Sequence, residues 1–525
     1  MRRPSPGDEL RARVAAERGP AARAPVPRGP AVALAYPSPY RAAMSSLGYQ
    51  WIATILREAG FGVERVMLPD DVDVYRNARA APRSYETHTP LGAFPVIAVS
   101  FAYETELVGL FDLLDLAGIP VRRADRGPDH PKILVGGPIS MASPTFLAPF
   151  ADALLLGEAE DTIVPAIEAA HGPREVWLDA IEALPGGWVP ERGGPVPPMA
   201  KASDARLPAR SAWLCPDAEL SDMFLIEGER GCHRMCTFCV LRRTTNGGMR
   251  LVDRHKILSL IPEEAHKVGL VGAAISDHPD LVGLLEVLVG DGRQVSVSSL
   301  RADRLAKKPA IAELLRRSGA RTLTTASDGA SERLRRELKK GTTREHLEQC
   351  AEQAARLGYD TLKLYMMLGV PGETDEDVDQ LIAESVALAA AARPARLALG
   401  VAPFVAKAQT PLDRQPFAGI GVVEDRFARL RKGVGRAVEI RPASARWAWI
   451  EHQLAQGGPA AGLAMWEGWR AGGTFGHYRR ALRALEDHPH QRRGDGDALA
   501  EPDRTAGSPP AAVEADPDVV SADGG

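Results

Sequence analysis

The sequence predicts an α/β fold in three parts: an N-terminal doubly wound parallel sheet, a partial six-stranded (β/α) barrel and a C-terminal helical region. Two observations lead to this prediction. Apolar, strand-like runs alternate with helical segments through residues 31–170, and several of these runs end in glycine. A second alternating series of six runs follows a segment that is rich in Pro and Gly.

The first sheet is predicted from five strand-like runs with helical segments between them. The strands are expected at 31–36, 63–68, 96–101, 132–135 and 153–156, and the helices at 51–58, 107–117 and 161–170. Sheets of this kind bind ligands beyond the carboxyl ends of their strands. No GxGxxG motif follows a predicted strand, so the sequence does not indicate a dinucleotide site.

The barrel is predicted from the second series of runs, in which helices again fit between the strands. These six strands are expected at 224–226, 271–275, 295–298, 321–325, 361–367 and 396–401. Active sites of parallel α/β barrels lie at the carboxyl ends of the strands. The functional residues are therefore expected at that end.

The domain boundaries follow from changes in composition. Residues 1–29 and 487–525 are rich in Ala, Pro, Arg, Asp or Gly and are expected to be disordered. Between them we predict a sheet domain at 30–172, a linker at 173–221, the barrel at 222–425 and the helical region at 426–486.

Composition limits the classes of partner. Lys plus Arg number 64 and Asp plus Glu number 68 among the 525 residues, a net charge of -4. This balance does not favour nucleic acid as a partner. No apolar run approaches the length of a membrane span and no secretory signal is evident, so a cytoplasmic protein without a membrane partner is expected.

A cysteine motif is the strongest chemical signal. Three of the five cysteines, Cys232, Cys236 and Cys239, lie within eight residues, whereas Cys215 and Cys350 stand apart. Three thiolates on one loop can hold three irons of a 4Fe-4S cluster and leave the fourth iron open for chemistry. A structural zinc site usually pairs two CxxC knuckles, and a four-Cys electron-transfer cluster would need a further ligand.

The CxxxCxxC motif, with Phe238 before its last Cys and a short strand before its first, resembles that of the radical S-adenosylmethionine (SAM) superfamily. The resemblance implies that Cys232, Cys236 and Cys239 hold a 4Fe-4S cluster whose open iron is chelated by SAM. One electron then cleaves SAM and releases a 5′-deoxyadenosyl radical.

The resemblance extends to stretches where the family places its SAM contacts. It implies contacts from Ser298 and Arg301, whose donors suit a carboxylate, although strand alternation does not decide between Ser298 and Ser299. It implies further contacts from Asp328, Gly369 and Gly372; the family usually has Glu where this chain has Asp328. No catalytic side chain is identified.

The first domain resembles the cobalamin-binding-like domain of one radical SAM subfamily in four segments, at 33–37, 44–48, 136–138 and 156–160. The DxHxxG signature of histidine-ligated cobalamin is absent, since residues 37–41 contain no His. Two alternatives stay open: cobalamin bound without a protein ligand in the crevice near Gly136, Gly137 and Gly157, or a domain that has lost cobalamin.

We therefore predict a radical SAM enzyme that acts on a small molecule or natural product by methyl transfer or rearrangement. The implied cofactors are a 4Fe-4S cluster and SAM, with cobalamin as an optional third, and the implied electron donor is a ferredoxin or flavodoxin. One alternative is a non-catalytic iron-sulfur protein that senses redox state or binds a partner. A methylthiotransferase-like activity is disfavoured, because no Cys precedes Cys215 to hold a second cluster.

Overall fold

The computed structural model describes residues 6–22, 24–241, 248–298 and 300–486. Its N-terminal domain contains one six-stranded sheet in the order β2-β1-β3-β4-β5-β6, with β6 antiparallel to β5 and the other neighbours parallel. The strands are Ala31–Tyr36 (β1), Gly62–Met67 (β2), Val96–Ser100 (β3), Lys132–Gly136 (β4), Ala153–Leu155 (β5) and Gly187–Trp188 (β6).

Helices connect these strands, as expected for a doubly wound sheet. Their side chains and those of the strands form two apolar clusters, one of which also includes residues of the C-terminal helices at 445–470 and 475–486. The helices are Pro6–Ala16 (α1), Tyr40–Ala43 (α2), Leu47–Glu58 (α3), Val72–Ala78 (α4), Leu107–Leu116 (α5), Ile163–Ala170 (α6) and Arg174–Ala183 (α7).

Two of the predicted boundaries need correction. The start of the chain is not disordered throughout, because α1 forms there and the buried carboxylate of Glu17 pairs with Arg65 of β2 at 2.8 Å. The predicted linker 173–221 begins with α7 and β6, which belong to the first domain. The predicted tail 487–525 lies outside the described residues.

The second domain is the predicted open barrel. Strands β7, β10 and β11 form one parallel sheet, strands β12 to β15 form another, and a bridge between Leu300 and Thr325 joins the two. Strands β8 and β9 form a separate antiparallel pair. The strands are Met223–Glu227 (β7), Glu229–Gly231 (β8), Met249–Leu251 (β9), Lys267–Val271 (β10), Gln294–Val297 (β11), Thr322–Asp328 (β12), Thr361–Leu368 (β13), Arg396–Pro403 (β14) and Val438–Pro442 (β15).

The barrel has seven described parallel strands rather than the six predicted. The additional strand is β15, which pairs with β14 although its residues were expected in the helical region. The helices of the barrel and the C-terminal region are Arg254–Ser259 (α8), Leu281–Gly290 (α9), Ala302–Lys307 (α10), Ala310–Arg317 (α11), Glu332–Glu337 (α12), Arg344–Arg356 (α13), Asp375–Ala391 (α14), Ile420–Val434 (α15), Ala445–Arg470 (α16) and Phe475–Glu486 (α17).

Alternation along the barrel strands decides which side chains form the core. In β13, Leu362, Leu364, Met366 and Leu368 are buried among the helices, while the intervening residues face the open side of the sheet. Helix α16 is kinked at Gly458 and Pro459, because proline cannot continue the helical hydrogen bonds. None of the helices in the described ranges is both long and apolar enough to cross a membrane.

Candidate functional site

The three cysteines of the motif lie on one loop that follows β8, close to the carboxyl end of the first barrel strand. Gly231 ends β8 with a φ of 93°, a conformation that glycine adopts without strain. The chain then turns into Cys232, which is buried, and on to Cys236 and Cys239, which are half-buried. All three thiols are free of disulfide bonds.

Burial and backbone hydrogen bonds act in opposite directions on the pKa of the Cys232 and Cys239 thiols. The backbone N–H of Arg234 donates to Cys232 Sγ at 3.4 Å. Burial raises the pKa of the Cys232 thiol and of the Cys239 thiol. Without metal these two thiols are therefore protonated at neutral pH, and metal binding displaces their protons.

An ion pair fixes the middle of the cysteine loop. Arg234 donates from Nε and Nη2 to the two carboxylate oxygens of Asp277 at 2.7 and 2.6 Å. Arg304 of α10 donates to the same carboxylate. Burial alone would raise the pKa of Asp277, but the hydrogen bonds from Arg234 and Arg304 lower it. The loop is thus held against the segment that follows β10.

A second arginine joins the loop to the N-terminal domain. Arg230 donates to both carboxylate oxygens of Glu227 at 2.7 and 2.9 Å. Its Nη1 also pairs at 2.6 Å with Glu160, which lies in the loop after β5. The sequence pointed to residues 156–160 and to the cysteine motif separately. The contact between Arg230 and Glu160 could not be predicted from it, because these two residues lie 70 positions apart.

The donor set fits a 4Fe-4S cluster. Among the described residues, no three His, Cys, Asp or Glu side chains are placed to hold one metal ion, and this includes the three thiols. A four-iron cluster is wider than one ion and takes one thiolate at each of three irons, which three separate thiols on one loop can supply. Cys232, Cys236 and Cys239 are the residues that would hold it.

The predicted SAM contacts Ser298 and Arg301 lie beyond the carboxyl end of β11. Ser298 Oγ donates at 3.0 Å to a backbone carbonyl of the segment after β10. Arg301 donates to Asp303 at 2.8 Å and to the backbone carbonyl of Lys340 at 2.6 Å. Ser299, the alternative to Ser298, lies outside the described residues.

The other predicted contacts lie at the ends of β12 and β13. The carboxylate of Asp328 pairs with the ammonium group of Lys340, so Lys340 links Asp328 to Arg301. Gly369 and Gly372 have φ values of 80° and 77° in the turn after β13. The geometry places all five predicted residues at the carboxyl end of the barrel, and their contacts with SAM stay predictions.

Glu229 is a residue of the site that the sequence did not single out. It lies in β8, its side chain is buried, and its Oε1 accepts the N–H of Ala274 at 2.6 Å. Its Oε2 has no partner among the described atoms, and burial raises the pKa of Glu229 to about 7. Gly272 leaves room for this carboxyl group, since a Cβ there would clash with Oε1.

Comparison with known families agrees with the site. Residues 48–190 match the model for the N-terminal domain of radical SAM proteins, and residues 226–384 match the model for the radical SAM superfamily. An uncharacterized protein of Methanocaldococcus jannaschii is 25% identical over 395 residues, which cover 74% of this chain and 80% of the relative.

Three solved structures are similar to parts of this chain. The cobalamin-dependent SAM radical enzyme OxsB is 12% identical, with a TM-score of 0.47 and coverage of 88% of this chain and 71% of its own. SuiB of Streptococcus suis bound to SAM is 13% identical (TM-score 0.33), and the match covers 42% of this chain and half of SuiB. Methylornithine synthase is 17% identical, with a TM-score of 0.28, and the match covers 44% of this chain and 68% of the synthase.

All three similarities are too weak to support an argument about activity. The family assignment rests instead on the two family models, which match both domains, and the cysteine loop lies within the second of these matches. This protein belongs to the radical SAM superfamily.

Proposed function

We propose that this protein uses a 4Fe-4S cluster on Cys232, Cys236 and Cys239 to cleave SAM reductively. The observation that carries the proposal is the loop of three free thiols, held at the barrel's carboxyl end by Arg230 and Arg234. When bound, the cluster and SAM supply a 5′-deoxyadenosyl radical that removes a hydrogen atom from the substrate.

The chain's own residues orient these groups. Arg234 and Asp277 hold the loop against the barrel, and Arg230 holds it against the first domain. We propose that Ser298 and Arg301 donate to the carboxylate of SAM, that Asp328 makes a further polar contact, and that Gly369 and Gly372 admit the nucleoside close to the backbone. Arg301 would then exchange one of its present partners for SAM.

The proposed substrate is a small molecule or natural product that undergoes methyl transfer or rearrangement. The proposed electron donor is a ferredoxin or flavodoxin. A cytoplasmic location is part of the same proposal, since reduced thiols and a low-potential donor suit a reducing compartment.

Cobalamin fits the described residues poorly. A cavity of about 440 Å³ lies near Gly136, Gly137 and Gly157. Gly137 packs tightly against the backbone of Phe101, and Gly157 packs tightly against the backbone of Ala200. The lack of a side chain at these two positions is therefore explained by the packing of the chain and not by a bound ligand. A corrinoid is much larger than the small ligands that such a volume holds, and we derive no step through it.

Anaerobic reconstitution with iron and sulfide tests the proposal. The expected result is about four irons and four sulfides per chain, with 5′-deoxyadenosine formed when dithionite and SAM are added. Cys232→Ala should abolish both, whereas Cys350→Ala, which removes a buried thiol outside the loop, should preserve both. If Cys232→Ala leaves cluster content and SAM cleavage intact, the proposal is wrong.

The same experiment distinguishes the proposed enzyme from a non-catalytic iron-sulfur protein. An iron-sulfur sensor would assemble its cluster and lose it with Cys232→Ala, yet would form no 5′-deoxyadenosine. A full cluster without SAM cleavage would therefore favour a sensing or binding role.

A further inference from the structure

The cavity between the two domains has the properties of a binding site. It measures about 440 Å³ and lies where strand ends of the N-terminal sheet face the start of the barrel. Val99 and Gly136 contribute from the first domain, and Gly231 and Gly272 contribute from the second. Gly231 directly precedes Cys232, so the cavity adjoins the cysteine loop.

Most of the cavity wall is apolar. Its side chains include Leu47, Val99, Leu134, Met141 and Ile163. Cavities of this size and character bury small molecules, and a few polar groups then determine which molecule binds. The polar groups of this wall therefore decide the ligand class.

Two residues that line the cavity each carry a buried polar atom without a hydrogen-bond partner among the described residues. These atoms are Oε2 of Glu229 and Nε1 of Trp51. Glu229 is 1% exposed and Trp51 is 5% exposed. A buried polar atom without a partner costs free energy, and a ligand that supplies the missing bond recovers it. Both atoms are covered by other protein atoms, so a shift of the Glu229 or Trp51 side chain would present the acceptor or the donor to a ligand.

The charge on the wall is negative. The described lining residues include four carboxylates and one guanidinium group, that of Arg230. Arg230 pairs with Glu227 and Glu160, and Arg250 from outside the wall pairs with Glu158. Glu229 is the lining carboxylate without an arginine partner in the described structure. An ammonium group would supply both the missing charge and the missing donor.

We propose that this cavity binds a small, largely apolar molecule that carries an amine, with its ammonium group on Glu229. The proposal deepens the proposed function and rests on it, because it names the substrate class of the same site. A polar acceptor on the ligand would accept a hydrogen bond from the indole N–H of Trp51. The ligand's apolar body would lie within reach of the cysteine loop.

Direct binding of defined probes tests this proposal without turnover. The reconstituted protein is titrated calorimetrically with hexylamine, phenethylamine and tryptamine, and with phenethyl alcohol and 3-phenylpropionate as matched neutral and anionic probes. At least one amine should bind, and phenethylamine should bind about tenfold more tightly than the alcohol. The anionic probe should not bind.

Variants connect the binding to Glu229. Glu229→Gln keeps an acceptor for the backbone N–H of Ala274 but removes the negative charge. The variant should therefore bind the amine about tenfold more weakly and bind the alcohol nearly as well as the wild type does. Glu286→Gln removes an exposed carboxylate of α9 and should have no effect. Gly48→Leu adds a side chain where open space surrounds Gly48 at the cavity wall, so it should weaken every probe.

Three results of the probe titrations would overturn the proposal. They are binding by none of the amines, equal binding of phenethylamine and phenethyl alcohol, and amine binding that Glu229→Gln leaves unchanged. Hydroxocobalamin that stays bound through gel filtration and displaces the amine would likewise assign the cavity to a corrinoid. Iron and sulfide content, measured on each sample, distinguishes these failures from a failure of the proposed cluster.

Discussion

At the scale of single residues, the site depends on a few buried charges and on the glycines that make room for them. Asp277 pairs with both Arg234 and Arg304, and the carboxyl group of Glu229 packs against Gly272. The sequence identified the thiols because their spacing is local. It could not identify Asp277 or Glu229, because their partners come from other segments.

Replacing Gly272 with alanine tests how closely Glu229 is packed. The added Cβ would clash with Glu229 Oε1, so the carboxyl group must move and lose its bond to Ala274. We expect urea unfolding to show a loss of about 1–3 kcal/mol. Gly290→Ala, at an exposed position with open space around it, should leave stability unchanged or raise it. Equal effects from the two variants would contradict this packing.

The Asp277 carboxylate predicts a pH dependence of stability. Its pKa in the folded chain lies below its ordinary value of 3.8, so its pairing stabilises the folded state at neutral pH. That contribution should be constant above about pH 5 and decline as the pH falls through the folded pKa. The difference in unfolding free energy between the wild type and Asp277→Asn should follow this course. A difference that grows on acidification would refute the assignment.

At the scale of elements, charged contacts join segments that lie far apart in the sequence. Lys407, after β14, pairs at 2.7 Å with Glu104 of the first domain and at 2.7 Å with Glu451 of α16. Burial lowers the pKa of Lys407, but the two carboxylates outweigh it and raise the pKa overall. One side chain thus connects the barrel to both other parts of the molecule.

Removing the Lys407 ammonium should loosen this junction. Lys407→Met leaves the carboxylate of Glu104, which is 1% exposed, without its cation. We expect a loss of about 3–5 kcal/mol in urea unfolding, because an unpaired charge then remains buried. Lys256→Met, at an exposed position on α8, is the matched control and should change stability by less than about 0.5 kcal/mol. Similar losses in both variants would mean that the junction contributes little.

At the scale of the whole molecule, much of the architecture follows from sequence patterns. Apolar runs alternating with helical segments indicated the parallel strands of both domains, and the N-terminal strands β1 and β2 are buried on both faces. Strand β15 was missed because its five residues carry Glu439 and Arg441, and pairing with β14 rather than local preference makes it a strand. Helix α1 was missed because its composition resembles a disordered segment, while Leu10 and Glu17 anchor it.

The residues of the proposed site come from both domains. The cysteine loop lies between the barrel and the first domain, with Arg230 and Arg234 holding one side each. A cavity shared by both domains adjoins it, so a substrate bound there would lie beside the loop. Neither domain alone lines the whole cavity.

We propose that SAM binds directly to an iron that has no protein ligand. The most direct test is electron paramagnetic resonance of the reduced, reconstituted protein with and without SAM. SAM should change the spectrum of the cluster, and the Cys350→Ala variant should retain this change. A spectrum that SAM leaves unaltered, in a protein with a full complement of iron and sulfide, would contradict the proposal.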